Sequence, residues 1–227
     1  MTQDEAKKTA ALAAASALPV SGVIGLGSGS TARFFIDEVG RLVRAGRKLS
    51  GVPTSEGSRK QALDLGIPLL ADEGPWDIAM TVDGADEVSA ALDLIKGGGA
   101  AHTREKIVNF ASKRNVIIVD ASKLSARLGE KWPVPLEVLP FAHLSTVAKL
   151  RAYGEPVLRV KENGAPRTTD AGNLVYDLKT GPIDDPAALD RALRSIPGVV
   201  ETGLFVGRAD EVIVAEETGI RSLTRSR

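Results

Sequence analysis

The chain has 227 residues, of which 43% are hydrophobic and 26% charged, an ordinary globular balance with room for one large domain or a large and a small one. Lys plus Arg and Asp plus Glu each number 29, giving a formal net charge of zero, and aromatic residues make up only 4%. That balance excludes a nucleic-acid partner bound by bulk charge or base stacking, and the lack of cysteine excludes disulfides, thiolate nucleophiles and thiolate metal sites.

The opening stretch is Ala-rich and ends in ASALP, but its hydrophobic part is weak and its leader carries Asp4 and Glu5 beside Lys7 and Lys8. It reads as a first helix ending before Pro19, not as a signal peptide. No apolar run is long enough to span a bilayer, so no membrane partner is expected and the cytoplasm is the expected compartment. VSGVIGL at 20–26 predicts a strand leading into GSGST, followed by a helix that Gly46 stops. KLSGVPT, SEGSRKQALDLG and IPLL predict strand, helix and strand, and WDIAMTV a further strand. The stretch 103–114 predicts a helix with Ile107, Phe110 and Ala111 on one face, and NVIIVDASK at 115–123 a buried strand of the parallel type.

After KWPVP the order becomes PLEVLP (strand), HLSTVAKLRAYG (helix), PVLRV and NLVYDL (strands), PAALDRALRSI (helix) and VVETGLFV (strand). This β-α-β-β-α-β pattern is that of a small ferredoxin-like domain. The tail, EVIVAEETGIRSLTR, holds two short strand candidates that return to the first domain. The expected fold is therefore α/β: a Rossmann-like, mostly parallel sheet domain over 1–130 and 207–227, with a smaller ferredoxin-like α+β domain inserted over 131–206.

The chemistry-bearing stretches fall at predicted strand ends, where open α/β sheets gather their ligands. GLGSGST joins glycine amides to the hydroxyls of Ser28, Ser30 and Thr31. It is neither the full GxGxxG fingerprint nor a Walker A loop, so a small phosphate suits it better than a nucleotide. VDGADE sets Asp83, Asp86 and Glu87 at the mouth of a strand, and carboxylates there accept hydrogen bonds from sugar hydroxyls or hold a hard cation. IKGGGAAHTREK places Lys96 before three glycines and Glu105 in the opening turn of a helix. Adjacent glycines let a ligand approach the backbone, while an ammonium and a carboxylate suit charge stabilisation and proton transfer. Lys123 follows another strand end; Asp120 stays undecided between a structural anchor and a ligand contact, Lys7 reads as a surface residue and His102 as a solvated or structural one, and His102 and His143 form no metal pattern. Trp76 and Trp132 read as packing residues. A base, a lysine and no cofactor fingerprint point to aldose–ketose isomerisation, with another phosphosugar isomerase or pentose phosphate substrate, a non-catalytic sugar-phosphate sensor and a metal-dependent hydrolase as rivals.

Together, GSGST at 27–31, VDGADE at 82–87, KGGGAAHTREK at 96–106, DASK at 120–123, TDAGN at 169–173, IPGVVETGLF at 196–205 and GRADEV at 207–212 resemble, in order and context, the ribose-5-phosphate isomerase family of the A type. Ser28 stands where many members have threonine, and Ala171 where TDNGN is common. The resemblance implies interconversion of ribose 5-phosphate and ribulose 5-phosphate in the non-oxidative pentose phosphate pathway, without metal or organic cofactor. It implies Glu105 as the base working through a cis-enediolate, Asp83 and Asp86 on the sugar hydroxyls and in ring opening, and Lys96 offsetting negative charge. Ser28, Gly29, Ser30, Thr31, Gly84, Ala85, Gly97, Gly98, Gly99 and Lys123 are the implied substrate shell. A homodimer or homotetramer assembled with help from the small domain is implied as well.

Overall fold

The computed structural model describes residues 2–216 and 219–225; the side chain of Gln3 and the whole of Met1, Glu217, Thr218, Ser226 and Arg227, including two residues of the tail read as strands, lie outside. Helix α1 (Gln3–Ser16) opens on a capping box, in which the Glu5 amide donates to Thr2 Oγ1 at 3.3 Å and the Thr2 amide to the Glu5 carboxylate at 2.6 Å. Strand β1 (Ser21–Leu26) leads into α2 (Gly29–Arg44), whose Phe35, Ile36, Val39 and Leu42 form a buried stripe. Gly46 ends that helix with φ +98°, the left-handed conformation that glycine adopts without strain. β2 (Lys48–Pro53), α3 (Glu56–Asp64), β3 (Ile78–Asp83), β4 (Glu87–Val88), β5 (Leu94–Ile95), α4 (His102–Phe110) and β6 (Asn115–Asp120) follow, the last closing on a 3-10 turn, Ala121–Lys123. β7 (Val134–Val138), α5 (His143–Leu150), β8 (Glu155–Leu158), β9 (Leu174–Lys179), α6 (Pro186–Arg194), β10 (Val199–Thr202), β11 (Leu204–Phe205), β12 (Glu211–Glu216) and β13 (Gly219–Thr224) complete the order.

The chain divides into two compact units. The first comprises Met1–Ala85, Arg104–Lys123 and Arg208–Arg227. Its sheet runs β13-β12-β6-β3-β1-β2, parallel except for the antiparallel edge strand β13. The expected Rossmann-like sheet is thus present, and its tail strands return to it. Phe35, Ile36, Leu26, Val82 and Ile118 lie at the centre of its core, with Ala10, Ala11 and Ala14 of α1 packed in; each large side chain buried this way stabilises the fold by roughly 1.5–3 kcal/mol.

The second unit comprises Asp86–Thr103 and Leu124–Gly207. It holds an antiparallel sheet of order β10-β7-β9-β8 with α5 and α6, the split pattern expected, and a small sheet β11-β5-β4. Val134, Leu136, Val138, Tyr176, Leu178 and Leu193 fill its core. Among the described residues no helix is long and apolar enough to cross a membrane.

Three local expectations are corrected. IPLL makes one bridge, Gly51 to Leu69, instead of a strand, since Pro68 brings no N–H to a ladder. VVETGLFV splits at Gly203 into β10 and β11, which belong to different sheets. The helix expected over 103–114 ends at Phe110, where the Lys113 amide turns to the Ile78 carbonyl at 2.9 Å. Its buried side is also different: Ile107 and Phe110 are 54% and 73% exposed, whereas His102, Glu105, Val108 and Asn109 are buried.

Candidate active site

In the first unit the carboxyl ends of three neighbouring parallel strands, β1, β3 and β6, carry Gly27–Ser28 with the start of α2, Asp83, and the turn Ala121–Lys123 respectively. The Gly27 amide donates to the Val82 carbonyl at 3.0 Å, and a side chain at position 27 would fall on the Asp83 carboxylate. Glycine is required there by close approach. Asp83 Oδ1 accepts from the Ser28 amide at 2.9 Å and the Gly84 amide at 2.8 Å, so the buried aspartate fixes the start of the loop.

Ser28 occupies the N-cap of α2, yet its hydroxyl caps no amide of that helix. It hydrogen-bonds instead with Thr54 Oγ1 and Ser55 Oγ, both at 2.7 Å. Thr54 is anchored on the Leu26 carbonyl, and Ser55 caps α3. The N-termini of α2 and α3 therefore border one cavity of about 410 Å³, whose walls include Gly27, Ser28, Gly29, Arg33, Ser55 and Lys60. Helix amides, hydroxyls and Arg33 are groups that suit an anion, and the same cavity also holds the Lys60–Asp64 ion pair at 2.7 Å.

In the second unit Asp86 Oδ2 accepts from the Gly98 amide at 2.7 Å. Lys96 is only 3% exposed; its amide donates to the Gly203 carbonyl at 2.9 Å, and its ammonium lies 5.6 Å from the centre of the Phe205 ring, a cation–π contact that offsets part of the desolvation. Gly97 has φ +117°, and a Cβ there would meet His102 Nδ1 at 2.8 Å and Pro135 at 2.9 Å. The carbonyls of Gly97 and Gly98 both accept from Arg159 Nη1, at 2.8 and 3.0 Å. Glu87 is fully buried and accepts from the Gly129 and Lys131 amides at 2.8 and 3.0 Å, a structural anchor. The three acids of VDGADE thus each hold the backbone of a different loop.

Glu105 sits in the first turn of α4, 6% exposed. Two residues earlier, the Thr103 hydroxyl donates to the buried Glu137, which also accepts from Thr169 Oγ1 at 2.9 Å and Asn173 Nδ2 at 2.7 Å. His102 is completely buried, so it is not a solvated surface residue. Lys123 is half-buried; the Asp120 carboxylate accepts from the Ser122 amide at 3.0 Å, and Lys7 pairs with Asp4 at 3.4 Å. Ser28, Asp83 and Gly84 are in direct hydrogen-bonded contact in the first unit, as are Asp86 and Gly98 in the second. Thr54, Ser55, Glu137, Arg159 and Asp177 escape a reading of the sequence. Only the VPTS stretch, hydroxyl-bearing at a predicted strand end, carried a signal for the first two.

The sequence profile described as ribose 5-phosphate isomerase A (phosphoriboisomerase A) matches residues 50–219. The chain belongs to this family. Proteins named ribose-5-phosphate isomerase A from Thermosynechococcus vestitus and Haloarcula marismortui are each 47% identical to it, over 92% and 99% of this chain and 91% and 97% of their own. The ribose 5-phosphate isomerase A structure from Methanocaldococcus jannaschii superposes with a TM-score of 0.93 at 39% identity, covering 98% of this chain and all of the other. A D-ribose-5-phosphate isomerase solved in complex with phospho-erythronic acid gives a TM-score of 0.96 at 40% identity, covering 99% of this chain. Membership of the ribose 5-phosphate isomerase A family makes the chain an aldose–ketose isomerase by class.

Proposed function

We propose that this chain interconverts D-ribose 5-phosphate and D-ribulose 5-phosphate through a cis-enediolate, as a step of the non-oxidative pentose phosphate pathway. The observation that carries the reading is the whole-length kinship with proteins of that name. It is joined by a buried carboxylate and a buried ammonium, Glu105 and Lys96, in a chain that also holds a cavity bordered by two helix N-termini.

In the reading, the phosphate occupies the cradle of Ser28, Gly29, Ser30 and Thr31, where α2 offers amides that the Ser28 side chain does not cap. Asp83 and Asp86 take the sugar hydroxyls and assist opening of the furanose ring, with Gly84, Ala85, Gly97, Gly98, Gly99 and Lys123 completing the shell. Glu105 removes the proton from C2 of the open-chain aldose, and the C–H electron pair becomes the C1–C2 double bond as O1 takes the negative charge. The same carboxyl returns the proton to C1 while O2 becomes the carbonyl oxygen and the hydroxyl proton passes from O2 to O1. One carbon is oxidised and its neighbour reduced, so no external redox partner enters. Lys96 offsets the developing oxyanion or the phosphate, and such preorganised charge is the largest aid to enolisation. The relative's ligand supports this route: phospho-erythronic acid joins a phosphate to a carboxylate whose two oxygens share negative charge as an enediolate's do.

The reading extends to a homodimer or homotetramer in the cytoplasm, with the ferredoxin-like part within 131–206 serving assembly. Incubation with ribose 5-phosphate in D₂O, followed by NMR, tests the reaction. Ketose carrying deuterium at C1 is expected; the absence of both product and exchange would refute the isomerase reading. Activity lost on chelation and restored by Mg²⁺ would favour metal chemistry instead.

A further inference from the structure

We infer that Arg159 is a positioning residue for Asp86, acting through the single peptide unit that joins Gly97 to Gly98. The inference rests on the isomerase reading in so far as Asp86 handles the substrate. The carbonyl of that unit, Gly97 O, accepts from Arg159 Nη1 at 2.8 Å, and its amide, Gly98 N–H, donates to Asp86 Oδ2 at 2.7 Å. In a trans peptide these two groups point in opposite directions. A guanidinium therefore lies at the negative end of one peptide dipole and a carboxylate at its positive end. Each charge favours the orientation the other requires, and hydrogen bonds linked in this way strengthen one another.

The chain around the unit makes that orientation dependent on its charges. Gly97 and Gly98 carry no side chains, so steric resistance to rotation of the peptide plane is small. Rotation would turn the Gly98 amide away from Asp86 and leave the carboxylate without the donor that sets its angle. Arg159 opposes the rotation with a second bond, to the Gly98 carbonyl at 3.0 Å. The guanidinium is itself aimed by Asp177, which accepts from Nε at 2.9 Å and from Nη2 as well, a fork that a lysine cannot reproduce. The Arg159 backbone is tied to the sheet by its amide on the Val175 carbonyl at 2.9 Å. A plain ion pair that only stabilises the sheet is the competing account, since the Arg159 and Asp177 side chains are 18% and 21% exposed. That account gives no reason for the guanidinium to reach across to two successive carbonyls.

A double-mutant cycle on kcat/KM separates the accounts, with the Gly98 amide resonance as a readout independent of turnover. Arg159→Gln is expected to lower kcat/KM about tenfold to a hundredfold, the worth of a charge-assisted hydrogen bond. In an Asp86→Asn background the same change should cost less than about threefold, because coupled positions are non-additive. Arg159→Lys should fall between wild type and Arg159→Gln. Equal penalties in both backgrounds would overturn the inference and leave a structural ion pair. In ¹⁵N-labelled protein, Arg159→Gln should shift the Gly98 amide and speed its hydrogen exchange; an unmoved resonance would overturn the inference even if the wild type turned over no ribose 5-phosphate. Absent turnover, for its part, would sink the isomerase reading alone. Should Arg159→Gln fail to fold, Asp177→Asn is expected to move the same amide in the same direction, and an unmoved amide there would count against the inference equally.

Discussion

The turn at Gly27–Ser28 is braced by hydroxyl groups beyond its aspartate, whereas the glycine run at 97–99 is strung between opposite charges. Each rests on one aspartate, Asp83 or Asp86, which accepts a loop amide. Behind the first loop stand the hydroxyls of Ser28, Thr54 and Ser55 and two helix N-termini. Behind the second stands Arg159, clamped by Asp177. The difference follows from what each loop does in the proposed reaction. A ligand that brings its own double negative charge is best met by preformed dipoles that need no counter-ion of their own. A carboxylate that must hold one angle against a sugar hydroxyl is best fixed through a rigid, charge-aligned peptide.

Alanine substitutions at the two glycines give the largest expected effects on this comparison. At Gly27 the new methyl meets the Asp83 backbone, with Cα at 2.6 Å, whereas at Gly98 it meets only the Asp86 carboxylate, with Oδ1 at 2.5 Å. Both variants should lose about a hundredfold or more in kcat/KM, the scale of a misplacement near 1 Å. Only Gly27→Ala should also lower the melting temperature markedly, since backbone cannot swing aside. Equal melting temperatures would erase the distinction between the loops.

Thr54→Val probes the neutral cradle more gently. It removes the hydroxyl that bonds Ser28 Oγ while keeping the shape of the side chain. KM for ribose 5-phosphate should rise about fivefold, as for one neutral hydrogen bond, with kcat nearly unchanged; a fall in kcat at constant KM would contradict a phosphate role for the cradle. Glu137→Gln keeps the size of the side chain but sets an amide against donors from Thr103, Thr169 and Asn173. A loss of roughly 1–3 kcal/mol in stability is expected, measured by denaturant unfolding, and an unchanged midpoint would mean that the cluster reorganises freely.

The smallest effect lies farthest from either loop. Burial pushes the Tyr176 phenol up, and its hydroxyl bonds His143 Nδ1 at 2.7 Å. A pKa raised by folding contributes stability that is complete below the unfolded phenol value of about 10 and is lost as pH rises through the folded value. Wild type should therefore lose slightly more stability than Tyr176→Phe when thermal unfolding is repeated on the alkaline side. Identical alkaline losses would show that the phenol does not feel its burial.

Legibility in the sequence tracks the range of the forces involved. The strand-to-helix rhythm of the first unit is readable because VIGL, IAMTV and NVIIV are central parallel strands, apolar on both faces, and because Gly46 stops α2 locally. The antiparallel order of β7 to β10 is readable from prolines, caps and periodicity, including Asp185 ahead of Pro186. The helix α4 is misread on its facing for a physical reason: its apolar Ile107 and Phe110 lie outward, with Arg208 over the Phe110 ring, while the buried side carries Glu105 and Asn109. A helix that buries polar side chains breaks the amphipathic rule on which the reading depends. Arg159 is beyond the reach of any local rule, because it meets Gly97 across 62 residues, and nothing in PVLRV distinguishes it from an outward strand arginine. Motif order, by contrast, is enough to name the family, since GSGST, VDGADE and KGGGAAHTREK each sit beside a predicted strand or helix end.

The most direct measurement of the central claim compares wild type with Glu105→Gln, following ribulose 5-phosphate formation and ribose 5-phosphate binding on the same samples. The variant should bind substrate within a fewfold of wild type while kcat falls by roughly a thousandfold or more, the contribution of a positioned general base. Near-normal turnover by Glu105→Gln would remove Glu105 from the proton transfer and contradict the account.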